Sequence, residues 1–336
     1  MHSLALTLLM VAVTIVSSSS AFAFEGAFTF TYENDELTGS DNNYTHGASF
    51  AWTTDEIGTY ADDRFVHKWA NFWSFLPYVS DQGYETYAGW ALGQGVYTPD
   101  DYTLVNPPLD DQPYAGVLYL DSKLYARRDR LGHTWSLMFG MTGPSSRAGD
   151  VQDWIHDWIG SDKPQGWDTQ IPDEFLLNVG YQVDYLWLEG ETGKSARWRL
   201  VPTVDAQLGN WLTGVGGGLY GEIGWNLPKA FGGRVLREGY EASLTLGVGP
   251  QQGPASWSFF GGIGGYGIVH YLPLDGTVFK DSRSVDSNPF VGIATTGIVY
   301  RKGRLAASLS ATIFTESFEG QRDNTDFGTF SVAWYF

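Results

Sequence analysis

The chain has 336 residues with 38 acidic against 20 basic ones, a net charge of −18, 42 glycines and no cysteine. Aromatics make up 16 % and charged residues only 17 %, against about 25 % charged in an average soluble protein. This composition excludes disorder, which needs few aromatics and much charge, and a helical array, because Gly costs about 1 kcal/mol in a helix interior. The acidic balance excludes non-specific nucleic-acid binding, whose phosphates demand Lys and Arg.

The N-terminus reads as a secretory signal over 1–23. Leu4 to Val16 is apolar, Ser17 to Ser20 is polar, and Ala21-Phe22-Ala23 fits a small-x-small cleavage site. The first turn carries His2 but no Lys or Arg. Residues 24–336 then form one domain, since no repeat or low-complexity linker divides them.

Beyond the signal, apolar and polar residues alternate with period two, the strand period. Leu177, Val179, Tyr181, Val183 and Tyr185 alternate with Asn178, Gly180, Gln182 and Asp184. Trp198, Leu200, Val204 and Leu208 alternate with Arg197, Arg199, Thr203 and Asp205. Gln251 to Leu274 lacks Asp, Glu, Lys and Arg, and its length would span a bilayer as a helix. Its many glycines and its alternation mark it as a strand instead.

A soluble sandwich also alternates. A transmembrane barrel adds strands of about 10 residues, an unbroken apolar outer face and aromatic girdles. Charges confined to one face, aromatics near strand ends and a terminal strand closing on Phe336 favour the barrel. The expected fold is all-β, a twelve-stranded antiparallel transmembrane β-barrel with a short helix in an extracellular loop. Strands are expected near 27–35, 44–53, 86–97, 113–127, 131–143, 173–189, 196–208, 211–226, 255–271, 289–301, 304–316 and 327–336. A further candidate, Glu241 to Val248, would break the even count and is assigned to a loop.

An even count leaves both termini in the periplasm. Loops 36–43, 98–112, 144–172, 209–210, 272–288 and 317–326 then face outward. Arg127–Gly132, Glu189–Ser195 and Lys302-Gly303 are short periplasmic turns. Residues 54–85 are long for one; Phe65, Trp69, Phe72, Trp73 and Phe75 there suit either an amphipathic helix in the membrane interface or a plain loop.

In the outer loop around residue 150, Val151, Trp154, Ile155, Trp158 and Ile159 recur at helical spacing, capped by Gly160. His156 neighbours that stripe and is one of five histidines in 24–336, so it is either structural or catalytic. Asp157 and Asp162 lie nearby; either carboxylate could orient the imidazole or bind a hard cation such as calcium, or both are solvated surface. Gly143-Pro144-Ser145-Ser146 is not a Gly-x-Ser-x-Gly elbow, which leaves Ser145 a weak nucleophile candidate.

At these residues the sequence resembles the lipid A 3′-O-deacylase family of LpxR-type outer-membrane proteins. The resemblance runs from the first strand to Phe336. It is carried by Glu33-Asn34-Asp35, by Asp41 through Tyr44-Thr45-x-Gly47, by Tyr97-Thr98-Pro99 and by Asp111-x-Pro113-Tyr114-Ala115-Gly116. Further on come Gly140-x-x-Gly143-Pro144 with Ser145 or Ser146, Gln152-x-x-x-His156, and Gly166-Trp167-Asp168-x-Gln170-x-x-Asp173-Glu174. The resemblance implies a twelve-stranded barrel that hydrolyses the 3′-linked acyloxyacyl ester of lipid A in a calcium-dependent site at the outer leaflet. It implies His156, Asn34 and Thr45 as catalytic residues and Asp35, Asn34 and Asp162 as metal ligands. Gln112 departs from the Arg usual in the family's Asp-Arg-Pro-Tyr motif, and Asp100 and Asp101 stand near a basic pair seen in some members. The implied partners are lipopolysaccharide, outer-membrane lipids and, through Phe336, the outer-membrane assembly machinery. Two other readings remain: a barrel phospholipase with a Ser–His pair, and a non-enzymatic small porin or adhesion barrel.

Overall fold

The computed structural model describes residues 26–39, 43–57, 64–79, 81, 83–193, 196–231 and 248–336. The predicted signal, Asp41-Asn42 of the second motif and most of the Glu241 to Val248 segment lie outside the described residues.

The strands are β1 (Gly26–Asn34), β2 (Tyr44–Thr54), β3 (Glu85–Tyr97), β4 (Ala115–Arg128), β5 (Leu131–Thr142), β6 (Glu174–Tyr185) and β7 (Leu188–Thr192). They continue as β8 (Ala196–Gly209), β9 (Leu212–Trp225), β10 (Gln251–Tyr271), β11 (Phe290–Gly303), β12 (Leu305–Phe314) and β13 (Asp326–Tyr335). All pair antiparallel, β13 returns to β1, and β6 pairs with β8, so the sheet closes. A closed sheet leaves no unpaired edge, which is what lets a β-protein stand in lipid.

The expected strand 173–189 is broken into β6 and β7, two halves of one stave. β8 pairs with β7 from Ala196 to Leu200 and with β6 from Thr203 to Gly209. Pro202, which has no N–H to give a ladder, sits in β8 at the join. Thirteen strands therefore make twelve staves, the expected number. β10 runs for 21 residues as a strand, not a helix.

Side chains alternate across the wall as the period requires. Phe28 and Phe30 stack on Phe50 outside, while Thr31 meets Ser331 and Glu33 accepts from Tyr44 inside. The interior is filled with polar pairs. Tyr266 donates to Asp205, Gln182 to Asp184, and Arg199 to Glu222. Buried polar groups need such partners, because an unpaired one costs about 1–3 kcal/mol.

The connections after β1, β3, β5, β8, β10 and β12 gather at one end, and Gly26 and Phe336 meet at the other. Among the described residues three helices decorate this frame. α1 (Arg64–Phe72) lies at the terminal end, its Val66 and Ala70 against Ala88 of β3 and Leu124 of β4. Phe72 and Phe75 remain exposed, so the 54–85 segment does form the amphipathic helix. α2 (Ala148–Ile159) follows a 3-10 turn at Gly143–Ser146 and packs on β3 and β4 at the loop end. α3 (Leu272–Asp275) is one turn whose Leu272 and Leu274 plug the lumen against Tyr97, Trp211 and Ile293.

A candidate active site between the barrel wall and helix α2

Register places one row of residues across four strands. Asn34 on β1 faces His46 on β2, His46 faces Val96 on β3, and Val96 faces Gly116 on β4. Gly47 points inward, since a Cβ there would strike the Tyr44 hydroxyl and approach the Glu33 carboxylate; its neighbour His46 therefore points outward, with Asn34 beside it. At the far end of the row a Cβ on Gly116 would overlap Ala148 Cβ and Ser146 Oγ. Gly116 is thus the notch that seats α2 on the wall. Gln94 fastens the same loop by donating to the Ser146 carbonyl at 2.6 Å.

The hairpin between β1 and β2 carries the first candidate cluster. Pairing on β2 steps from Tyr44 to His46 while its partner steps from Tyr97 to Val96, so Thr45 is a bulge residue. The bulge re-aims the chain as bulges near sites do. It lets Tyr44 enter the lumen and His46 leave it, and it brings Thr45 to Asn34, which strict alternation would separate from it. Asn34 Nδ2 donates to the Thr45 carbonyl at 2.9 Å and to Asp35 Oδ1 at 3.3 Å. Those two acceptors fix the amide orientation and leave Asn34 Oδ1 as an oxygen donor toward the outer face. Asp35 is buried in a 3-10 turn, Asp35–Leu37, and also accepts from its neighbour Glu36 N at 2.9 Å. The Thr45 hydroxyl is held by Thr98 at 2.8 Å.

Helix α2 supplies the imidazole. Its buried row is Ala148, Gln152 and His156, spaced four apart on one face. Trp154 is 67 % exposed and Trp158 42 %, so the aromatic stripe turns away from the barrel. This differs from a soluble amphipathic helix, and the reason is the solvent: beside a membrane the apolar partner is lipid, and the protein-facing row is free to be polar. Gln152 accepts from Trp167 Nε1 at 2.8 Å. The Tyr102 ring meets the His156 ring edge-on at 5.6 Å.

The helix ends at Gly160 in the left-handed region (φ 76°), and the chain folds back. That return brings the Asp162 carbonyl onto His156 Nδ1. A carbonyl only accepts, so Nδ1 carries the proton and Nε2 presents its lone pair, the tautomer a general base requires. The sequence pointed to the Asp162 carboxylate, but the side chain is exposed and the main chain makes the contact.

Among the described residues no three His, Asp or Glu side chains are grouped to hold a metal ion. Calcium binds 6–8 oxygens, many from carbonyls, amides and water. A set of one buried carboxylate, Asp35, beside the Asn34 amide oxygen is of that character. The Ser candidates are occupied elsewhere. Ser146 Oγ donates to the Gly143 carbonyl at 2.6 Å, and Ser145 is exposed. Gln112 is buried and donates to the carbonyls of Asn43 and Thr98. It ties the loop tips together. Behind it Asp100 N and Gln112 N both donate to Asp111. Burial and the nearby Asp100 push the Asp111 carboxyl above the usual range; burial, opposed by Arg322, does the same to Asp100.

A family model described as outer membrane protein LpxR matches residues 4–336. The chain belongs to the LpxR family of outer-membrane proteins. LpxR from Salmonella typhimurium has a similar fold, with a TM-score of 0.74 at 18 % identity over 92 % of this chain and all of that one. The β domain of the Bordetella autotransporter BrkA aligns over 93 % of this chain and 98 % of its own at a TM-score of 0.44 and 10 % identity. No curated protein matches by sequence. The structure joins Asn34 to Asp35 and to the Thr45 carbonyl on the β1–β2 hairpin, and joins His156 to the Asp162 main chain at the end of α2. His46 and Gln152 are the buried polar groups for which sequence reading assigned no role. His46 was legible in the hairpin register, which sets it opposite Asn34.

Proposed function

We propose that this protein is a calcium-dependent lipid A deacylase that hydrolyses the 3′-linked acyloxyacyl ester at the outer leaflet. The carrying observation is His156, buried on the wall-facing row of α2 with its Nδ1 committed to the Asp162 carbonyl, which leaves the Nε2 lone pair to act as the base. An ester held between α2 and the wall would meet that lone pair. His156 Nε2 takes a proton from water as the water oxygen adds to the acyl carbon. It then returns the proton to the sugar oxygen as the ester bond breaks. A general base of this kind contributes typically 10²–10⁴-fold.

Asp35 and Asn34 would hold calcium, with Asp162 closing the set; when bound, the ion supplies a Lewis acid that polarises the ester carbonyl. Thr45 orients Asn34 through its carbonyl. The exposed Trp154 and Trp158 suit an acyl-chain environment. Phe336, held at the terminal end by its N–H on Gly26, is the group the assembly machinery would read, and the loop end would face outside the cell.

Mass spectrometry of lipid A from cells with and without the protein tests this reading. Loss of the 3′-acyloxyacyl mass in wild type and not in His156→Ala is expected. Unchanged lipid A in both overturns it.

A further inference from the structure

We propose that His46 is a second catalytic imidazole of this site, holding the attacking water from the wall side through Nε2. The proposal rests on the deacylase reading above. Register sets His46 beside Asn34, in the row that ends at the Gly116 notch under α2. The residue is 4 % exposed, and its Nε2 is buried with no hydrogen-bond partner among the described residues. A buried imidazole nitrogen is costly unless something bonds it, and His46 lies on the outward face of the wall over which α2 packs. His46 and His156 are also near enough to interact electrostatically. An imidazole from the wall and one from the helix thus come near each other.

The division of work follows from their fixing. His156 Nε2 is the base, because Nδ1 is committed to Asp162. His46 Nε2 accepts the other hydrogen of the same water and directs an oxygen lone pair at the acyl carbon. Water and ester give acid and alcohol. One water proton passes by way of His156 to the leaving sugar oxygen, and the other leaves with the released carboxyl group. His46 gains and loses no proton.

The test is steady-state release of fatty acid from lipopolysaccharide vesicles by refolded full-length wild type, His46→Ala, His46→Asn and His156→Ala. Each variant is first checked for the heat-modifiable gel shift of a folded barrel. A misplaced nucleophile costs on the order of 10²-fold, so His46→Ala should lose about that in kcat with KM little changed. His46→Asn, which keeps an acceptor, should recover part of it, and free imidazole should restore His46→Ala. Wild-type kcat in His46→Ala, or equal loss in both His46 variants without imidazole rescue, overturns the role of His46 while His156→Ala stays inactive. A wild type as inert as His156→Ala overturns the deacylase reading, and His46 with it.

Discussion

A single hydrogen bond separates a structural histidine from a base at position 156. The Asp162 carbonyl fixes the tautomer, and burial of Gln152 on the preceding turn fixes the face. His156→Ala should therefore reduce ester release by 10²–10⁴-fold with the barrel still folded, because the residue sits on a helix outside the wall. In the same assay Ser145→Ala and Ser146→Ala should keep most activity, since neither hydroxyl is needed as a nucleophile. Low activity in Ser145→Ala alone would revive the Ser–His reading. Asp35 is buried and accepts a hydrogen bond from Asn34. Asp35→Ala should lose activity at low calcium and regain part of it at high calcium, and chelation should silence the wild type reversibly. Activity independent of calcium in the wild type would remove the metal from the scheme.

Between elements, the site depends on how closely α2 approaches β4. The approach is possible because Gly116 has no Cβ; any larger residue would collide with Ala148 and Ser146. Valine suits a strand, so Gly116→Val should leave the barrel intact but lift α2 and carry His156 with it. A loss of roughly 10²-fold is expected, the cost of a misplaced catalytic group, with an unchanged melting temperature. A loss of folding instead would mean that the notch serves the wall and not the helix. The loop tips above obey a different control. Asp100 and Asp111 both have raised carboxyl pKa values in the folded loops, so the closed loops bind protons more tightly than opened ones. Their closure is strongest below the ordinary carboxylate range and weakens as pH rises through the raised values. Protection of the Asp100 and Gln112 amides, corrected for intrinsic exchange, should fall across that window, and Asp111→Asn should flatten the fall.

For the molecule as a whole, twelve staves put both described termini at one end and the site at the other. Among the described residues, α3, Tyr97, Trp211 and Ile293 pack together in the interior at the loop end, and the Arg199–Glu222 ion pair lies in the interior below. In the proposed reading the work of this barrel lies on its outer wall, on the face that carries Asn34, His46 and α2. The orientation proposed for it is measurable. An epitope inserted at Lys163, in the exposed segment after α2, should be reached by antibody on intact cells. One at Lys302, at the end of β11 beside the turn to β12, should be reached only after permeabilisation, and the reverse labelling would invert the topology.

The sequence by itself determined the barrel. Alternation is a local property, each stave reports its own two faces, and an even count sorts the loops between two ends without any knowledge of distance. It also marked Asn34, Asp35, Thr45 and His156 through separated motifs. Tertiary structure alone decided how they meet. The bulge at Thr45 depends on what β3 offers as a partner. The Asp162 main chain, not its carboxylate, reaches His156 because Gly160 turns the chain back. The buried face of α2 is the polar row and not the aromatic stripe, which no hydrophobic pattern could reveal. Hydrophobic sorting identifies the protein-facing side of a helix only when the other side meets water, and against the outer wall of a membrane barrel the other side meets lipid.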